Sequence, residues 1–298
     1  MRRFLTALTA LFLFFGSCLA EELPVFIDRI TQPDAAPEFA FPEEAELFQI
    51  IFPNMQEADC ALLISGEDVV MIDCSSSGYA WRVVNMLEQL GIDEIDLILN
   101  THPHHDHLLG LDPISTAVKV HEIAFAFPET ETKHMIAALR VAEKRGIQVG
   151  WYGDGDRFPV GDGWIDAWLK GDAEWSLNAR SAQMRVQFGE RTALFTADSL
   201  HETQRRLVEA IAPELLDCDV LKYPHHGLEV LDDGFLEAVS PAYAVITHIP
   251  CDATFKARGY LTQQKVPFGF TTGGYLSFTT DGHVWLAEKL PMRPVSAH

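Results

Sequence analysis

The chain has 298 residues, 48% of them hydrophobic and 22% charged, and carries a formal net charge of −21. That length and apolar content suffice for one large domain with a full core and exclude a disordered or collagen-like chain. The acidic excess repels phosphate backbones at long range, so no strong nucleic-acid binding is expected.

Arg2 and Arg3, the apolar run 4–15 and the small or neutral residues 16–20 read as a secretory signal peptide cut after Ala20. The run is shorter than the roughly 20 residues a membrane span needs. Phe15-Gly16-Ser17-Cys18 faintly resembles a bacterial lipobox, so lipidation at Cys18 is the alternative and the only route to a membrane partner. Either way the expected location is secreted or cell-surface. Residues 21–45, rich in Glu, Pro and Ala, read as a lead-in, 46–290 as one domain and 291–298 as a tail. Export leaves Cys60, Cys74, Cys218 and Cys251. Cys60 and Cys74 lie near the ends of neighbouring expected strands and are the candidates for a disulfide; the alternative is four small buried hydrophobes.

Residues 60–65 and 69–72, joined by Gly66-Glu67-Asp68, predict a β-hairpin. Residues 79–90 place Val84, Leu87 and Leu90 at helical spacing and stop at Gly91. The apolar run 95–99 predicts a buried strand. It leads into Asn100-Thr101-His102-Pro103-His104-His105-Asp106-His107, with four histidines and an aspartate in six positions. Neutral imidazole suits zinc and neighbouring transition metals, and a carboxylate completes or bridges such a site. A strand over 118–123 and a helix over 130–145 follow. Short β runs come next at 164–169, 184–188 and 193–196, punctuated by Asp-Gly and Gly-Glu turns. Helices over 202–211, 232–239 and 254–264 then alternate with strands at 219–222, 243–247, 268–270, 275–278 and 284–287. Two blocks of β then α predict an α/β protein with sheets face to face and helices outside.

Four ordered stretches between about residues 47 and 288 resemble the metallo-β-lactamase superfamily. They are Met71-Ile72-Asp73 with its small-residue turn to Gly78, the histidine loop 101–107, the strand 189–198 ending in Ala197-Asp198, and Asp219-Val220-Leu221-Lys222-Tyr223-Pro224-His225-His226-Gly227. The nearest resemblance is to the branch of the ComEC hydrolase domain and the pneumococcal phosphorylcholine esterase. It implies a four-layered αββα sandwich with the site at one edge. It implies that His102 and His104 hold a first ion, Asp106 and His107 a second, and that Asp198 bridges them. Either His225 or His226 completes the second site, and the other contacts substrate or donates a proton. Asp106 and His226 are the catalytic candidates. Three departures stand out. Residues 176–181 hold no histidine, where many members of the superfamily supply a third ligand to the first metal; the resemblance implies that the ComEC-like branch shares this lack. Ala197 replaces a frequent Gly, and Ile249-Pro250-Cys251-Asp252 lacks the branch's Asn-x-Tyr/His-Pro pattern.

The expected cofactor is zinc, as two ions, with manganese or iron as alternatives. Zinc lowers the pKa of a bound water from near 16 to about 7. The acidic surface does not oppose phosphoester chemistry at such a centre, because bound cations reverse the local sign. No Ser-His-Asp constellation, P-loop or dinucleotide fingerprint stands out. The expected reaction is therefore hydrolysis by metal-bound hydroxide of a phosphodiester or related ester, small or from the cell envelope. Lactone or amide hydrolysis on the same fold, or a non-catalytic metal-binding surface protein, are the alternatives. Trp151, Tyr152, Trp164, Trp168 and Trp175 suggest either a pocket for a cationic head group or core packing. Asp154 and Asp156 suggest calcium or, more simply, turn chemistry. His201 is close enough in sequence to Asp198 to lean into the site. His121, His134, His283 and His298 read as surface or satisfied residues, and Arg205 with Arg206 as a solvated helix face.

Overall fold

The computed structural model describes residues 25–34, 38–128 and 131–292. The expected export segment 1–20 with Cys18, and His298, lie outside the described residues. The strands are β1 (Phe26–Asp28), β2 (Phe48–Phe52), β3 (Cys60–Ser65), β4 (Asp68–Cys74), β5 (Glu94–Asn100), β6 (Lys119–Phe125), β7 (Gln148–Trp151) and β8 (Arg157–Val160). They continue as β9 (Gly163–Trp168), β10 (Gln183–Phe188), β11 (Arg191–Phe195), β12 (Val220–Lys222), β13 (Tyr243–Ile246), β14 (Phe268–Phe270), β15 (Tyr275–Thr280) and β16 (Trp285–Leu290). The α-helices are α1 (Ala80–Leu90), α2 (His105–Leu108), α3 (Leu111–Ala117), α4 (Lys133–Arg145), α5 (Leu177–Arg180), α6 (His201–Ala210), α7 (Pro213–Leu216), α8 (Asp233–Val239) and α9 (Phe255–Gln264).

The period-2 alternation of side chains along a strand decides how these elements stack. In β4, Val69 and Met71 face a core shared with α1, α3 and α4, while Val70 and Ile72 face a second core between two sheets. In β11, Ala193 and Phe195 enter that same inner core, whereas Leu194 joins a third one built with α6, α8 and α9. Both faces of these strands are buried, so their sequences read as nearly unbroken apolar runs. The outcome is an αββα sandwich, as expected. One sheet has nine strands in the order β1-β16-β15-β2-β3-β4-β5-β6-β7, and the other has seven in the order β14-β13-β12-β11-β10-β9-β8.

Part of the stretch read as a lead-in is structured. β1 pairs in parallel with β16, and Phe39 and Phe41 pack on Ile27, Val284 and Leu286. Cys60 and Cys74 face each other in register but remain free thiols, and all four described cysteines are unbonded. Among the described residues no helix is long and apolar enough to cross a membrane.

The segment joining α2 to α3 lies hard against the end of β4. Gly110 N–H donates to Ser75 O at 3.0 Å, and a Cβ on Gly110 would sit 1.7 Å from Cys74 O. Backbone cannot yield as a flexible side chain would. Gly110→Ala is therefore expected to destabilise the fold by about 3 kcal/mol, read as a lower urea midpoint at unchanged slope.

Candidate metal centre

The histidine loop is anchored before it reaches any ligand position. β3 and β4 slip register between Cys60 and Ala61, and the bulge leaves Asp73 at φ 55° with its carboxylate buried at the end of β4. Asp73 accepts from Asn100 Nδ2 (2.9 Å), Thr101 N (2.8 Å), Thr101 Oγ1 (2.7 Å) and His107 Nδ1 (2.7 Å). One carboxylate thus pins the end of β5 and the helical turn α2 together. Tyr152 Oη donates to Asn100 O (2.7 Å) and closes the same strand end.

The other half of the cluster hangs from the second sheet. Asp198 follows β11 after Ala197, whose φ of 45° is left-handed. That geometry costs alanine roughly 1–2 kcal/mol and suits the glycine frequent in relatives. After β12 the chain runs left-handed through His225 (φ 48°), His226 (φ 52°) and Gly227 (φ 81°). His225 N–H donates to Ala197 O (2.9 Å), tying the two turns together. This bend aims His226 into the interior, where 1% of it is exposed, and leaves the His225 side chain 23% exposed.

The residues expected from sequence come together. Asp198 Oδ1 lies 3.2 Å from His107 Nε2 and 3.6 Å from His226 Nε2. Its Oδ2 lies 3.6 Å from His102 Nε2, and His226 Nε2 is 3.3 Å from Asp106 Oδ2. Among the described residues ligand-type atoms form three groups, two of which share Asp198: Asp106, His107, Asp198 and His226, and His102, His104 and Asp198; the third is Asp59, Asp73 and His107, the two carboxylates that face Nδ1 of His226 and His107. His225 stands beside the second group but outside it, its Nε2 4.0 Å from Asp198 Oδ2 and 3.2 Å from Asn178 Nδ2.

The sequence reading missed three residues that brace this cluster. Asp59, just before β3, contacts His226 Nδ1 (3.1 Å) and accepts from Thr247 Oγ1 (2.5 Å). It is ion-paired with Lys222, whose Nζ also donates to Ala197 O (2.9 Å). The available signal was a charged residue ending an apolar run, as Lys222 ends β12. Other expected candidates go elsewhere. His201 Nε2 turns to Val230 O (2.6 Å), Asp156 serves its own turn by accepting from Gly153 N, and Asp154 ties that turn to the end of β9 by accepting from Leu169 N and Lys170 Nζ. The tryptophans have separate neighbours: Trp151 packs on Phe125, Trp164 under Arg157, Trp175 under Arg206, and Trp168 lies in the outer core.

The electrostatics favour positive charge at the centre. Burial opposes ionisation of His226, yet Asp59 and Asp198 outweigh it and push its pKa up to about 9. Burial likewise opposes charge on His107, and Asp198 and Asp73 override it. Burial, helped by the neighbouring charge of His107, holds His102 and His104 below the ordinary imidazole value, so both are neutral donors. His107 Nε2, His226 Nε2 and Asp198 Oδ1 are buried without a hydrogen-bond partner, although they converge. Buried polar atoms rarely stay unsatisfied, and a donor set of imidazole and carboxylate fits zinc, manganese or iron. The residues therefore fit a pair of divalent ions.

The Metallo-beta-lactamase superfamily model matches residues 56–248. No curated protein matches the sequence. Among solved structures, the chain is similar to the metallo-beta-lactamase fold protein YhfI from Bacillus subtilis, at 12% identity and a TM-score of 0.56, covering 78% of this chain and 100% of that one. It is also similar to CmlA, a diiron beta-hydroxylase from Streptomyces venezuelae, at 16% identity and a TM-score of 0.52, covering 84% of this chain and 55% of that one. With a family model over more than half its length and the matching fold beneath it, the chain belongs to the metallo-beta-lactamase superfamily.

Proposed function

We propose that this protein is a metal-dependent hydrolase acting on a phosphodiester or related ester. The observation that carries the reading is the convergence of three buried, unpartnered ligating atoms, on His107, His226 and Asp198, beside the His102–His104 pair. His102, His104 and Asp198 would hold one ion, and Asp106, His107, Asp198 and His226 the other. Zinc is the first choice, with manganese or iron as alternatives. When bound, such ions supply Lewis acidity and acidify a water ligand.

The chain's own residues do the rest. Asp73 and Asp59 hold the imidazoles of His107 and His226 by Nδ1, so both rings keep their aim. His226 is too enclosed to meet a substrate, and its role is to hold an ion. His225 is the exposed member of the pair, and its role is to contact the substrate. The ComEC-like branch remains our closest assignment, supported by the His-His-Gly turn and by Asn178 standing twenty residues before Asp198 in place of histidine. We also propose export, on the strength of Arg2, Arg3 and the apolar run 4–15. The substrate would then be met outside the cytoplasm, at the membrane only if Cys18 is lipidated.

The test is hydrolysis of bis-p-nitrophenyl phosphate by protein loaded with zinc or manganese. Turnover that a chelator removes and metal restores is expected. Turnover confined to lactones or amides would reassign the substrate, and a loaded protein inert on every ester, lactone and amide would end the hydrolase reading.

A further inference from the structure

We infer that the two ion pockets are unequal, and that the one formed by Asp106, His107, Asp198 and His226 fills before the one formed by His102, His104 and Asp198. The inference rests on the two-ion reading above and concerns the order and strength of binding.

The first reason is the state of the lone pairs. His107 Nδ1 donates to Asp73 Oδ2 at 2.7 Å, and His226 Nδ1 faces Asp59 Oδ1 at 3.1 Å. With Nδ1 turned to a carboxylate, Nε2 is the nitrogen left to an ion, which displaces any proton there; on both rings that atom is buried, has no hydrogen-bond partner and faces only carboxylates of the same pocket. The smaller pocket is arranged differently. Thr101 Oγ1 already gives its proton to Asp73 Oδ2 (2.7 Å), so at 3.1 Å it accepts from His102 Nδ1. His102 Nε2 is then an acceptor, and His104 Nδ1 occupies it at 2.9 Å. An ion entering there must first separate two imidazoles that satisfy each other.

The second reason is what stands behind each ring. A carboxylate behind an imidazole fixes its orientation and raises its basicity, and losing one typically costs about 10–100-fold in metal affinity. Both imidazoles of the larger pocket have such a carboxylate, and both carboxylates are themselves held, Asp73 by Asn100 and Thr101, Asp59 by Lys222 and Thr247. His102 has only a hydroxyl behind it, and His104 is half-buried. The third reason is donor number, four against three. Asn178, twenty residues before Asp198, spends its amide on His225 and adds no charge.

The test is titration of the metal-free full chain with zinc alone, followed by calorimetry and by mass spectrometry under non-denaturing conditions. Two steps are expected, the first at least about tenfold tighter than the second. His104→Ala changes a half-exposed residue and should remove the weak step while leaving the tight one. Asp59→Asn should weaken the tight step by about 10–100-fold. Two equal steps, loss of the tight step in His104→Ala, or no zinc bound would each overturn the inference. Ordered zinc binding by a protein that hydrolyses no ester would uphold it and remove the hydrolase reading instead.

Discussion

Asp198→Ala is expected to reduce ester hydrolysis by at least about 10³-fold, equivalent to about 4 kcal/mol of transition-state stabilisation. Asp198 is the one residue common to both ion pockets, with Oδ1 directed to His107 and His226 and Oδ2 to His102. Removing it deprives each pocket of an anionic donor at once. It also leaves His107 without the larger of the two carboxylate influences that raise its pKa against burial. The loss should appear as a fall in kcat together with a fall in bound metal, measured on protein whose circular dichroism is unchanged. His225→Ala makes the contrast. It lies outside both pockets, so it should keep its metal and lose turnover alone. An Asp198→Ala protein that retains two ions and full activity would refute the bridging assignment.

Lys222→Met is expected to destabilise the protein by about 3–5 kcal/mol. Lys222 and Asp59 are buried, with side chains 3% and 7% exposed. Burial by itself would raise the Asp59 pKa, but Lys222 and then His226 hold it well below the usual carboxylate range. Methionine keeps the bulk and removes the charge, so the Asp59 carboxylate is left in the interior without its cation. A loss of that size is a large share of the roughly 5–15 kcal/mol that keeps a domain folded. Urea unfolding reads the effect. The double variant Lys222→Met with Asp59→Asn should recover part of it, because the stranded charge is gone. If the single variant unfolds at the wild-type midpoint, the pair contributes nothing and its bracing role falls.

The parts of this molecule that announce themselves in sequence are those whose burial is symmetric or whose chemistry is concentrated. The second half of β5, Leu97 to Leu99, is apolar because both its faces are covered there, and the histidine loop follows it directly. The β3–β4 hairpin and helices α1, α6, α8 and α9 fall within a few residues of their expected bounds. Edge strands are harder to see. β7 and β8 close the ends of their sheets, and their mixed, largely exposed residues, including Pro159, carry no clean alternation. β2 is central, between β15 and β3, but it follows directly on the Glu- and Pro-rich stretch and was hidden by it. At the site, the local motif was legible and its support was not. Asp59 meets His226 and Thr247 across separations of 167 and 188 residues, which no local pattern encodes. The choice between His225 and His226 depends on three consecutive left-handed residues, and only the backbone fixes which ring turns inward.

The cluster also straddles the seam of the sandwich. His102 to His107 leave the nine-stranded sheet at β5, while Asp198 and His226 leave the seven-stranded sheet at β11 and β12. Between those sheets lies apolar packing, which has no directional bonds to fix their separation. Ions gripped from both sides would act as rivets along that rim. Chelation should therefore speed amide hydrogen exchange at the carboxyl ends of β5, β11 and β12 before it affects the strands deeper in the sandwich, and should lower the melting temperature in proportion to the affinity lost. Uniform exchange in the stripped and loaded proteins would mean that the two halves hold together without the rivets.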